Sequence, residues 1–316
     1  PWLSEIDKEW AGVLFIGMGG SAASGDFISS LSDYEGAVPI RCHRGYDLPN
    51  WWNKGWLVVA TSYSGNTEET LSVCEQAMSQ DATIVVISSG GILSGMCELS
   101  DTMYLISCPG NQPPRTAFGH IFSRQLSLMT EIGILHSNIS NETLTNLQQA
   151  VDDSDIISHP EGDVASLALN MMENPIAILG PDELMPAINR FKNQLNENAA
   201  RFARIGAFPE MNHNESVAWG GVGEDQDPES KNQALVLLSW DGMHSRVIQR
   251  MDWFVSNCPT ELAWRVHGDG ESLLGSLLHL CIMTDWLSIG LALLHGKNPH
   301  DIEPIISLKE FLAQID

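Results

Sequence analysis

Short apolar runs alternate along this chain with stretches of helical spacing. Residues Gly12–Gly17 (G-V-L-F-I-G), 57–60, 82–88 and 102–107 are of strand length and largely hydrophobic, without the alternation of a half-exposed strand. Helical patterns follow them at Glu68–Met78 and 117–135. The second half repeats the scheme. Strand-like runs lie at 175–179, 234–240 and 261–266, and helical segments at 182–200, 246–256, Leu273–Leu294 and 303–315. Strands alternating with helices predict an α/β protein of two doubly wound subdomains, each a parallel sheet flanked by helices on both faces. The polar, acidic stretch 138–163 reads as a helix plus linker, which puts the boundary between domains 1–150 and 151–316.

The turns that leave the apolar runs carry the candidate chemistry. The run 57–60 breaks into Ser62, Ser64, Gly65 and Thr67, and the acids Glu68 and Glu69 then open a helix. Hydroxyls and backbone N–H groups at a helix N-terminus can receive a dianionic phosphate without a lysine. A polar N-cap turn would account for one such hydroxyl, but three within six residues point to a ligand. The earlier turn, Gly17 to Asp26 (G-M-G-G-S-A-A-S-G-D), offers the glycine backbone an anion cradle needs. It also fits the dinucleotide pattern G-x-G-x-x-A. That reading wants an acid at the end of the next strand, where Arg41 to Arg44 (R-C-H-R) has none. One phosphate held by both turns explains both. A turn-rich loop, P-G-N-Q-P-P-R-T, delivers Arg115 to the same edge of the predicted sheet.

Composition narrows the function further. Forty acids against 16 bases give a net charge of -24, which disfavours nucleic acid as a partner. No uninterrupted apolar run reaches membrane length, and no secretory leader pattern is visible from Pro1 onward. The six cysteines show neither a CxxC pair nor framework spacing, so they read as reduced thiols of a cytoplasmic protein. In so acidic a chain an anionic substrate must be held by local N–H groups, hydroxyls and a few placed cations. The second half lacks such phosphate turns and offers Glu197, in N-E-N-A-A-R, and His213, in P-E-M-N-H-N-E. Each alone is as readily a solvated surface group, and no metal-ligand spacing surrounds them. A carboxylate, an imidazole, an arginine and a phosphate cradle together suit proton transfer on a sugar phosphate.

With G-M-G-G-S-A-A-S-G-D, T-S-Y-S-G-N-T-E-E-T, Q-P-P-R, N-E-N-A and P-E-M-N-H-N-E all in view, the chain resembles the bifunctional phosphoglucose/phosphomannose isomerases. These form a branch of the sugar isomerase (SIS) superfamily, and the resemblance extends to the closing segment that ends at Lys309. It implies two SIS-type subdomains and interconversion of glucose 6-phosphate, and mannose 6-phosphate, with fructose 6-phosphate through a cis-enediol. Gly19, Gly20, Ser21, Ser62, Ser64 and Thr67 would hold the phosphate. Glu197 would be the base, Arg115 would stabilise the enediolate, and His213 and Lys309 would assist ring opening. It further implies a homodimer, with His213 given across the interface, and neither a metal nor an organic cofactor. A second proline before Arg115, an alanine at 22 and N-P-H-D-I at 298–302 depart from the family pattern. A non-catalytic sugar-phosphate sensor and an isomerase of another sugar phosphate are the alternatives.

Overall fold

Each apolar run of the first half is a parallel strand. In the computed structural model, which describes residues 2–6 and 9–315, the chain divides into two units, Pro1–Asn138 and Ile139–Asp316. The first unit runs α1 (Leu3–Ile6), β1 (Gly12–Gly17), α2 (Gly19–Glu35), β2 (Ile40–His43), β3 (Trp56–Thr61), α3 (Glu68–Met78), β4 (Ile84–Ser88), α4 (Gly91–Glu98), β5 (Met103–Ser107) and α5 (Phe118–Glu131). Its sheet has the order β2-β1-β3-β4-β5, with every pairing parallel. The inner strands β1, β3 and β4 are almost wholly apolar and buried because both of their faces are covered, whereas the edge strand β2 carries Arg41 and His43. Leu14, Ile16, Val58, Ala60, Ile84 and Val86 pack with Val73, Cys74 and Ala77 of α3 and Leu93 of α4. On α2 and α5, Phe27 sits edge-on to Phe118 and Phe122.

The strand ends are level. Gly17 pairs with Thr61, and Thr61 pairs with Ile87, so the turns leaving β1, β3 and β4 start side by side. The order reverses between β1 and β3, which is where α/β sheets bind ligands.

The second unit contains α6 (Asn141–Ser154), α7 (Asp163–Met171), β6 (Ile176–Pro181), α8 (Met185–Ala199), β7 (Ala203–Phe208), α9 (Glu215–Trp219), β8 (Ala234–Ser239), α10 (Ser245–Asn257), β9 (Ala263–His267), α11 (Leu273–Leu294) and α12 (Glu303–Leu312). Its parallel sheet has the order β7-β6-β8-β9. One core gathers Leu179, Phe208, Trp219, Leu235 and Leu237 with Met251 and Phe254 of α10. Helix α11 is long and apolar enough to cross a membrane, but half of its most apolar window is buried among α8, α7 and α6. That is the pattern of a core helix.

The units part between residues 138 and 139, where the expected boundary was 150/151. The helix expected within 138–163 is α6, whose Ser140 cap accepts from the Thr143 N–H at 2.9 Å and whose body packs on α11. Strand β7 was not expected at all. Its sequence, A-R-I-G-A-F, mixes a charge and a glycine into a strand at the sheet edge, where five of its six residues are half-buried.

Candidate active site

In the first unit, four loops meet at the carboxyl edge of the sheet. After β1 the chain passes Met18 in extended conformation, and Gly19, with φ +52°, opens α2. Nothing stands near Gly19, which is exposed. Ser21, in the same first turn, is buried, and its Oγ accepts from the Tyr63 N–H at 3.1 Å. The glycine turn and the hydroxyl turn are thereby tied together. Ala22, a departure from the family pattern, lies inside α2, where alanine is a favourable residue.

The hydroxyl turn has its own frame. Ser62 is fully buried, its Oγ lies 2.8 Å from Thr67 Oγ1, and it accepts from the Gly65 N–H at 3.1 Å. Ser64 is exposed, and its Oγ accepts from the Asn66 N–H at 3.3 Å. Thr67 is the N-cap residue of α3 but makes no side-chain cap, because its hydroxyl faces Ser62. Gly65 takes φ +71°, and the turn after β4 folds onto it, with the Leu93 N–H donating to its carbonyl at 3.0 Å. Behind this edge, Gln125 of α5 donates to Thr61 Oγ1 at 3.0 Å.

Arg115 comes in from the loop after β5 and is buried. A Cβ placed on Gly20 would stand 3.0 Å from the N and Cα of Arg115, so the backbone of this loop rests on the first turn of α2. Gly19, Gly20, Ser21, Ser62, Ser64, Thr67 and Arg115 therefore belong to one edge. Neither α2 nor α3 has a side-chain cap at its N-terminus. Uncapped N–H groups, framed hydroxyls and a guanidinium loop together can receive a dianion.

The other three candidates lie on separate elements of the second unit. Glu197 is half-buried on the last turn of α8, which Ala200 ends in left-handed conformation. Beyond it Arg201 donates to the carbonyls of Met172 and Asn174, at 2.9 and 2.7 Å, so the arginine of N-E-N-A-A-R is an anchor for the helix end. His213 closes a short 3-10 turn, Glu210–His213, and is exposed. The residues around it are fixed: Asn214 donates to the carbonyl and Oε1 of Glu210, and Glu215 holds both Arg204 (2.6 Å) and the Trp219 indole (3.0 Å). Lys309 is exposed on α12, a helix with no buried residue.

The cysteines offer no nucleophile to this chemistry. All six are free, and burial pushes each thiol up, that of Cys97 to about 11.

The family model for the bacterial phospho-glucose isomerase C-terminal SIS domain matches residues 161–312. The bifunctional phosphoglucose/phosphomannose isomerase of Aquifex aeolicus is 30% identical over 315 residues, 96% of this chain and 91% of the relative. The chain belongs to this isomerase family. The family's protein from Caldicellulosiruptor bescii is also 30% identical, over 98% of this chain and 91% of its own. Among solved structures, the C-terminal domain of glucosamine-fructose-6-phosphate aminotransferase from Francisella tularensis superposes with a TM-score of 0.71. It covers 94% of this chain and 88% of its own at 14% identity, which speaks for the shared fold alone.

Within this phosphoglucose/phosphomannose isomerase family member, two groups near the candidates were not singled out from sequence. Arg204 and Trp219 brace the His213 loop through Glu215, with the guanidinium carbon 5.3 Å from the Trp219 ring centroid. Arg190, Gln194 and Asn198 form a buried polar stripe on the helix that carries Glu197. Their spacing of four was the available signal, since an i, i+4, i+8 polar row on an otherwise apolar face marks a buried polar contact.

Proposed function

We propose that the protein is a cytoplasmic aldose–ketose isomerase that interconverts glucose 6-phosphate, and mannose 6-phosphate, with fructose 6-phosphate. The observation that carries this reading is the cradle in which the β1, β3 and β4 turns share one edge, with the Arg115 loop resting on Gly20. Gly19, Gly20, Ser21, Ser62, Ser64 and Thr67 bind the sugar's phosphate. Glu197 moves a proton between C1 and C2, and the electron pair released at carbon passes to the carbonyl oxygen to give a cis-enediolate. Arg115 stabilises that oxyanion, and His213 and Lys309 open the ring. A positioned base contributes roughly 10²- to 10⁴-fold. A guanidinium aimed at the oxyanion in a dry site adds roughly 3 kcal/mol, by analogy with oxyanion-hole donors.

The active form in this reading is a homodimer in which His213 reaches its partner's substrate. The exposure of His213 on a braced loop supports that role. This reading calls for neither a metal nor an organic cofactor: the proton shift involves no net oxidation, and Arg115 supplies the positive charge at the developing oxyanion.

The test is a coupled assay with fructose 6-phosphate in EDTA, with separate readouts for glucose 6-phosphate and mannose 6-phosphate. Both products are expected, and Glu197→Gln should abolish them while still binding sugar phosphate. Folded protein that binds fructose 6-phosphate and makes no product would replace the isomerase reading with that of a sensor. Full activity in Glu197→Gln would remove the assigned base.

A further inference from the structure

The side chain of Gln125, on α5, is fully buried and only half used. Its Nε2 donates to Thr61 Oγ1 at 3.0 Å, while its Oε1 has no hydrogen-bond partner. Turning the amide over changes only which end is left over, because one end alone can meet Thr61. His43, the last residue of β2, is in the same position: its Nε2 is buried and unpartnered. Both residues line one small cavity, with Gly17, Ser21, Cys42 and Thr61 also in its wall. The cavity offers about 10 Å³ to the centre of a water-sized sphere, which is the room one water takes.

Buried polar atoms nearly always find a partner in the protein or in ordered water. Here two of them border the same space and make no bond with each other. An ion would find no counter-charge, since no carboxylate, lysine or arginine lines the cavity. Cys42 is a neutral thiol there, its proton held by burial and by Asp26. A water satisfies both orphans, because it donates to Oε1 and pairs with the imidazole Nε2 in either tautomer.

The cavity borders the cradle. Gly17 and Thr61 are paired residues at the ends of β1 and β3, Ser62 follows Thr61, and Ser21 Oγ accepts from the Tyr63 N–H. We propose that one ordered water occupies this cavity and bridges Gln125 Oε1 to His43 Nε2, making both side chains positioning residues for the phosphate cradle. The water joins the end of β2 to α5, and the other end of the Gln125 amide carries that link to Thr61 and the start of the hydroxyl turn. Neither side chain touches the sugar phosphate in this arrangement. The inference rests on the reading of the glycine and hydroxyl turns as a phosphate site.

The first experiment is a crystal structure of the full chain at a resolution that shows single waters. One water within hydrogen-bond distance of both atoms is expected. A dry cavity, or a direct bond between His43 and Gln125, would overturn the proposal. The second is calorimetric titration with inorganic phosphate, alongside KM and kcat for fructose 6-phosphate. His43→Phe removes the nitrogen and displaces the water without replacing its bonds. It should weaken phosphate binding and raise KM, each by about three- to tenfold, with kcat within about twofold of the parent. His43→Gln puts a polar group back near the place of Nε2 and should bring both values back. His43 is half-buried at a strand end, so its variants should fold even where the harsher Gln125→Met does not. Unchanged phosphate affinity in His43→Phe, or equal losses in His43→Phe and His43→Gln, would overturn the positioning role. A parent protein that binds no phosphate would overturn the cradle reading and that role with it, a result visible before any variant is made.

Discussion

The hydroxyls of Ser62 and Thr67 stand 2.8 Å apart across the turn that leaves β3. The Gly65 N–H donates into the same pair, so one buried oxygen organises both ends of the hydroxyl turn. Two groups in one network give less than additive losses when each is removed. Ser62→Ala and Thr67→Ala should each weaken the fold, and the double variant should fall short of their sum by about 1 kcal/mol. Urea unfolding of the four proteins measures this, and strict additivity would mean that the turn does not depend on the pair.

Gly65 and Gly19 both take left-handed backbone, at φ +71° and +52°, but their surroundings differ. A methyl on Gly65 would run into the carbonyl oxygen of Gly90, whereas nothing surrounds Gly19. Gly19→Ala should therefore cost only the left-handed penalty, about 1 kcal/mol. Gly65→Ala should cost about 2–3 kcal/mol more, because the turn after β4 must shift as well. Under the proposed function it should also raise KM for the sugar phosphate more than Gly19→Ala does. Equal melting temperatures for the two variants would contradict this ranking.

The first unit was legible in the sequence for a physical reason. Parallel strands buried on both faces are apolar throughout, so Gly12–Gly17 and 57–60 stand out, and the glycine and hydroxyl turns follow them directly. Where exposure is mixed, the pattern fades. The edge strand β7 carries Arg204 and Gly206, which interrupt the apolar run by which the inner strands are read. The partners of α8 are hidden for another reason. Arg190 and Asp285 are 95 positions apart, and no local pattern announces a contact across that distance.

Glu215 and His213 sit two residues apart in one motif and should behave in opposite ways. Glu215 holds Arg204 at 2.6 Å and the Trp219 indole at 3.0 Å, beside the buried core of the second unit. Glu215→Ala should destabilise the protein by about 1.5–3 kcal/mol, the range for charge-assisted hydrogen bonds that lose a partner. His213 is exposed, so His213→Ala should leave stability within about 0.5 kcal/mol of the parent. If His213 assists ring opening as proposed, the same variant should lose at least about tenfold in kcat. Calorimetry and the coupled assay on the same preparations separate the two effects. A folded but inactive Glu215→Ala, or an unfolded His213→Ala, would reverse these roles.

His279, on α11, supplies a pH dependence of stability. Its Nδ1 accepts from the Asp269 N–H at 3.3 Å, which requires that nitrogen to be unprotonated. Burial holds the imidazole below its ordinary value, Asp269 pulls it partly back, and His267 pushes it down again. In the unfolded chain the same side chain titrates near about 6.5. The native form thus refuses a proton that the unfolded form accepts, and the unfolded state gains on acidification. The contribution of His279 is fully present above about pH 6.5 and is lost as pH falls through the lower native value. Urea unfolding at pH 7.5, 6.5 and 5.5 should show the parent losing stability faster than His279→Gln over this interval. Many carboxylates also titrate at the acid end, so the difference between the two proteins is the quantity to read. Parallel slopes from pH 7.5 to 5.5 would mean that His279 takes up its proton in the folded protein as readily as in the unfolded one.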